Sequence, residues 1–227
     1  MAQFSILFQN DEILLINKAA GVSVQGGEGI LHPLDKELSA QVGYQVHLVH
    51  RLDKDTSGLL LVAKTSSAAA KWTRLIGEKF VKKTYTAFCL GQPLVNGKKT
   101  RSGSLKSSLV AHGKSQTASL SFTVEDECKL EEGLSLYRIR VTLGTGRMHQ
   151  IRIQLSQVGA PLAADDKHGD FKANKIIRKL GIKKLCLAAT ELVLPLEGEN
   201  RTFKIPLPDH MAKIEELYFH PSKSANT

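Results

Sequence analysis

The stretch that decides how this chain is read runs from Val49 to Thr65, VHRLDKDTSGLLLVAKT. A charged, polar half ends in Ser57-Gly58 and runs directly into an apolar half, Leu59 to Ala63. A short apolar run bounded by turn residues reads as a buried strand, so the polar half is the loop that enters it. Asp53, Asp55, Ser57 and Gly58 match the first, third, fifth and sixth positions of a calcium-binding loop. The twelfth position must be a bidentate Glu followed by a helix; here it is Lys64, inside the expected strand. Calcium is set aside. By residue type alone, Asp53 is either a turn aspartate bonding nearby backbone N–H groups or a working carboxylate.

Working outward, Phe4 to Asn17 reads as two strands about an Asn10-Asp11 turn, and Gly21 to Gly29 as a Gly-rich loop. Ser66 or Ser67 can cap a helix running through Phe80. Val81 to Gly91 alternates like a strand. Val95 to Lys114 is basic, Ser-rich and punctuated by Gly, which predicts an exposed excursion, with the softest boundary in the chain within Lys98 to Lys114. Ser115 to Cys128 and Leu134 to Leu143 read as strands; in the second, Tyr137, Ile139 and Val141 share one face. Met148 to Gly159 reads as a helix with Ile151, Leu155 and Val158 on one side and Gly159 as its stop. Late strands are expected over 183–196 and 201–208, and a disordered tail over 220–227. Strands dominate without strand–helix alternation, which predicts an α+β class with a largely antiparallel sheet and one domain over 1–219.

Lysine and arginine number 31 against 22 acidic residues, a net charge of +9. That surplus points to nucleic acid, with anionic lipid or solubility alone as alternatives. Three scattered cysteines, Cys89, Cys128 and Cys186, with no C-x-x-C pair, argue against a disulfide framework or zinc site. No apolar run approaches the ~20 residues of a membrane span, and the first residues lack the pattern of a signal peptide, so cytoplasm is the expected compartment. GTGRMH has His149 where a dinucleotide loop needs its third Gly, and the phosphate-loop and G-x-S-x-G signatures are absent. His47 and His50 read as solvated loop histidines rather than a metal pair.

Three blocks taken together, HRLDKDTSGLLLVAK, KKTYTAFCLG and GTGRMHQIRIQLSQVGAPLAADD, resemble the RluA-type family of RNA pseudouridine synthases in order and spacing, from about Phe4 to Pro208. Ile153 after Arg152 fits this branch. The sequence departs from the family at Ala19 for Pro, His168 for Tyr and Ala188 for His. The resemblance implies the pseudouridine synthase fold with a central active-site cleft. It also implies isomerisation of uridine in ribosomal or transfer RNA, without cofactor or metal. Asp53 would be the catalytic carboxylate, ionised by an ion pair with Arg152; Tyr85 would pack on the target base and Leu187 would support its other side. Arg51 would fill the gap left by a flipped-out base. Lys98, Lys99, Arg101, Lys106, Arg147, His149 and Gln150 are candidate RNA contacts. The chain begins almost at the catalytic domain, so a stand-alone catalytic domain without an N-terminal accessory RNA-binding domain is expected, with specificity from the loops over 21–44 and 95–114; a monomer is expected. The competing expectations are a non-catalytic RNA-binding or chaperone protein on the same fold, and a hydrolase or lyase using an Asp.

Overall fold

A computed structural model describes residues 3–111 and 113–220. In chain order the elements are β1 (Ser5–Gln9), β2 (Ile13–Lys18), α1 (Leu34–Val42), β3 (His47–Leu48), β4 (Ser57–Ala63), α2 (Ser66–Gly77) and β5 (Lys82–Cys89). There follow β6 (Leu94–Val95), β7 (Lys98–Lys99), β8 (Ser102–Ala111), β9 (Lys114–Lys129) and β10 (Ser135–Leu143). Then come α3 (Gln150–Gln157), α4 (Phe171–Lys179), β11 (Leu187–Leu196), β12 (Glu199–Lys204) and α5 (Asp209–Ile214). The class is α+β, and the chain divides into two compact units.

The first unit holds the chain up to Thr84 together with Ala189–Ile205. Its strands run in the order β1-β2-β4-β11, with β3 also on β4 and β12 on β11. Every residue of β4 is buried, as its unbroken apolar run requires. Ile13, Leu15, Leu59, Leu61, Leu192 and Leu194 form the core, and α2 closes over it with Trp72. The Trp72 Nε1–H and the Lys71 ammonium both reach the Glu12 carboxylate, at 2.9 and 2.7 Å. Gly58, at φ +113°, lies so close to β11 that a Cβ there would stand 2.2 Å from the Ala189 carbonyl oxygen.

The second unit holds Tyr85–Ala188 and the chain from Pro206. Its strands run β5-β10-β9-β8. Phe88, Leu136, Ala163, Ile177, Cys186, Ala188 and Met211 pack into its core. Ala188, one of the departures from the family pattern, is fully buried here.

Three expectations change. The excursion over 95–114 is mostly strand: β8 pairs with β9 from Ser102↔Thr123 to Ala111↔Lys114. A strand at the end of the pairing order meets solvent, so serines and lysines suit it where an apolar run would not. The cap of α2 is Thr65, whose Oγ1 accepts from the Ala68 N–H at 3.1 Å, ahead of Ser66 and Ser67. α1, α4 and α5 are additional helices. α4 exposes its lysines and arginine and buries Ala173, Asn174 and Ile177; its N-cap is Asp170. The expected tail lies outside the described residues beyond His220. Among the described residues, no helix is long and apolar enough to cross a membrane.

Candidate functional site

In the first unit the polar block before β4 is a loop held by side chains. β3 pairs with β4 at His47↔Ala63 and Leu48↔Val62, then the chain leaves the strand. The next N–H along β4, that of Leu61, is taken by the His50 ring, Nε2 accepting at 3.0 Å. An accepting ring nitrogen requires the neutral imidazole. Burial, with the Lys83 charge adding to it, pulls the His50 pKa down to about 3. His50 is therefore no solvated loop histidine: it stands in for a missing strand partner and moors the loop.

Three residues later the chain turns. Arg51 is exposed, Leu52 is buried as an anchor, and Asp53 is half-buried. The Thr56 N–H donates to the Asp53 carbonyl at 3.1 Å, closing a β-turn. The Lys54 carbonyl inside that turn accepts from the Gly21 N–H at 2.8 Å and from Lys18 Nζ at 3.0 Å. Lys18 is fully buried, and its other two N–H groups reach the Ala19 and Val22 carbonyls at 3.0 and 2.8 Å. One ammonium thus ties the Gly-rich loop to the turn that carries Asp53. Burial draws its pKa down to about 8, while Asp55 and Asp53 pull the other way. Among the described residues, Thr56 Oγ1 and Ser57 Oγ are enclosed with no hydrogen-bond partner.

In the second unit, Tyr85 on β5 and Leu187 at the start of β11 are both buried. The GTGR turn after β10 is stapled by Gln150. Its Oε1 accepts from Thr145 Oγ1 at 2.7 Å and from the Arg147 N–H at 3.0 Å, and its Nε2 donates to the Ser119 carbonyl at 2.9 Å. Gln150 thereby fixes the backbone of Arg147, whose side chain is exposed. His149 enters α3 at φ +52°, and its Nδ1 lies 2.8 Å from Nε2 of His168. Lys98, Lys99, Arg101 and Lys106 are exposed along the same unit, on β7, β8 and the link between them.

Arg152 lies in the first turn of α3 and is buried. Its Nε and one Nη grip the two oxygens of Asp165 at 2.8 and 2.7 Å, a bidentate fork. Burial works to raise the Asp165 pKa, but the Arg152 hydrogen bond and the N–H groups of His168 and Lys167 outweigh it and hold the carboxyl below its ordinary value. Asn174 braces the same segment, donating to the Asp165 carbonyl at 3.0 Å and accepting from the Ala164 N–H at 2.9 Å. Residue-by-residue reading of the sequence passed over Asp165. Its signal was its place in the ADDKHG block, where an acidic residue follows the arginine helix by one short loop. Among the described residues, no group of three or more His, Cys, Asp or Glu could hold a metal ion.

Comparison with known proteins places the chain among relatives. The family model for RNA pseudouridylate synthase matches residues 12–157. The ribosomal large subunit pseudouridine synthase C of Haemophilus influenzae is 33% identical over 219 residues, covering 92% of this chain and 66% of the relative. The protein of that name from Rickettsia felis is 37% identical over 171 residues, covering 73% of this chain and 56% of its own length. The chain thus spans between 56% and 66% of the length of these two relatives. The solved structure of human RNA pseudouridylate synthase domain containing 4 superposes with a TM-score of 0.73 at 24% identity, over 93% of this chain and 91% of that one, a likeness of fold. By the match of the family model to most of its length, this chain belongs to the RNA pseudouridylate synthase family.

Proposed function

We propose that the protein isomerises uridine to pseudouridine in RNA, with ribosomal RNA as substrate in keeping with the names of its relatives. The bond from ribose carbon 1 to uracil nitrogen 1 breaks, the base turns, and it rejoins through carbon 5, whose hydrogen leaves as a proton while nitrogen 1 takes one up. No electrons are gained or lost, so the reaction requires no redox cofactor. The observation that carries the proposal is the moored turn around Asp53. His50, Lys18 and Gly21 fix its backbone, as a carboxylate needs when it must meet a reacting carbon or proton at short range.

Asp53 acts either by attacking ribose carbon 1 or by taking a proton to give a glycal, and both require it ionised. Arg152 supplies the guanidinium that favours the ionised carboxylate. Tyr85 and Leu187 hold the two faces of the uracil. The target base must leave its stack before its glycosidic bond can be reached, and Arg51 fills the place it leaves. Lys98, Lys99, Arg101, Lys106, Arg147 and His149 meet phosphates, with Gln150 setting the position of Arg147. The protein works as a monomer in the cytoplasm, without metal.

The test is tritium release from unmodified ribosomal and transfer RNA labelled at uracil carbon 5, comparing wild type with Asp53→Ala. Release by wild type alone is the expected result. No release by either protein, with salt-sensitive RNA binding retained, would favour a non-catalytic RNA-binding protein. Equal release by both would remove Asp53 from the reaction.

A further inference from the structure

Beside the moored turn, in the first unit, lies a cavity of about 510 Å³, within the ~300–1,000 Å³ range of small-ligand sites. Lys54 lines it, so the cavity begins one residue, about 3.8 Å of backbone, from the proposed reacting carboxylate. Its floor is Gly21, Val22 and Ser23, which the bonds of Gly21 and Lys18 already fix to the turn. The Leu34 and Asp35 N–H groups at the start of α1 donate to the Ser23 and Val24 carbonyls at 2.9 and 3.2 Å, so that helix end is spent on the loop. A second wall is the turn that the Ile30 N–H closes on the Gly27 carbonyl at 3.1 Å; it carries Gly29 at φ +72° and presents Ile30 and Leu31. Leu31 is 86% exposed. A lone exposed leucine means little. This one shares a cavity with the exposed Lys54 and with Glu37, whose side chain is 15% exposed. The His32 ring approaches one Glu37 oxygen, Nδ1 to Oε1 at 3.0 Å, which leaves the other oxygen to accept from a ligand.

These groups match the parts of one nucleotide. Apolar side chains suit the face of a base, and an ammonium suits a phosphate. A carboxylate only accepts, so it suits a base edge with an exocyclic amino group. We infer that the cavity seats a nucleotide flanking the target uridine in single-stranded RNA. Ile30 and Leu31 lie against its base, Lys54 meets its phosphate, and Glu37 selects adenine, cytosine or guanine over uracil. The flanking position follows from the chain. With Asp53 at the ribose of the target, the next residue is in reach of the phosphates beside it, since successive nucleotides of a stacked strand stand about 3.4 Å apart. The inference rests on the proposed function. The alternative is that the cavity is loop space that RNA never enters.

Two measurements on the full chain separate them. The first is equilibrium binding of three single-stranded RNA heptamers, each a central uridine with A, C or U at every other position. Wild type is expected to bind the A and C heptamers roughly 10-fold more tightly than the U heptamer, the scale of one base-edge contact. Glu37→Gln, whose amide donates as well as accepts, should erase most of that preference. Leu31→Ser should weaken all three by roughly 10-fold, the scale of one base-stacking contact. A preference absent from wild type or kept in Glu37→Gln overturns the inference, as does unchanged affinity in Leu31→Ser. Leu31 is too exposed for its replacement to threaten the fold. Should circular dichroism show Glu37→Gln unfolded, Leu31→Ser decides alone. The second measurement is tritium release from unmodified ribosomal RNA. There Leu31→Ser should raise KM with kcat little changed, and an unchanged KM overturns the inference. The expected heptamer preferences without tritium release from wild type would sink the proposed function and leave the cavity as an RNA site. Release by wild type without those preferences would sink the inference alone.

Discussion

Lys18 brings three N–H donors to three carbonyl oxygens in a place water does not reach. With its pKa drawn down to about 8, it releases a proton within the working range of an enzyme. Between about 8 and the ordinary 10.5 the unfolded chain binds a proton that the folded chain has lost, so this group makes stability rise with pH across that window. Activity should run the opposite way. Neutral lysine has two N–H groups for three carbonyls, and the turn around Asp53 loosens. Single-turnover rates should therefore fall with a midpoint near pH 8 while chemical denaturation shows no parallel loss from this group; a rate flat to pH 9.5 would show the third N–H to be dispensable. Thr56 makes a different point. A buried hydroxyl without a partner costs roughly 1–3 kcal/mol, so Thr56→Val, of nearly the same shape, should raise the denaturation midpoint. A gain in stability with a loss of rate would mean that the hydroxyl serves the reaction.

Among the elements, β4 is the one on which the first unit depends most closely. Gly58 combines φ +113° with an Ala189 carbonyl oxygen that a Cβ would meet at 2.2 Å, and no side chain satisfies both. Gly58→Ala should lower stability by at least the ~1–3 kcal/mol of an overpacked core, read by denaturant titration. That strand was plain in the sequence because five apolar residues follow a turn signal, and β5, β9, β10 and α3 were plain from their periods. β8 was not, because Ser102 to Ala111 lies along one partner only and has no need of a continuous apolar face. α4 was hidden by its charges. At the site, Asp53 stood out within a block of mixed chemistry that chance rarely repeats. Asp165 did not, because nothing local shows that a carboxylate will meet an arginine 13 residues earlier on a buried fork. The role of His50 was equally hidden, since it depends on where β3 stops.

For the molecule as a whole, the net charge of +9 and the exposed Lys98, Lys99, Arg101, Lys106 and Arg147 make RNA affinity a matter of released counterions. Binding should weaken steeply with salt, and replacing Lys98, Lys99 and Arg101 by alanine should reduce the slope of log affinity against log salt by about 1 per cation removed. Fluorescence titrations at several salt concentrations measure this, and an unchanged slope would place the phosphates elsewhere. The order β5-β10-β9-β8 ends on β8, which therefore offers a row of backbone donors and acceptors ten residues long to the surroundings. Such a row is a template for another chain, and Lys106 with the flanking serines is what makes it an unattractive one. Shelf life of concentrated protein, and the yield of soluble material from a variant that neutralises Lys106, thus depend on a strand that otherwise serves only to meet phosphates.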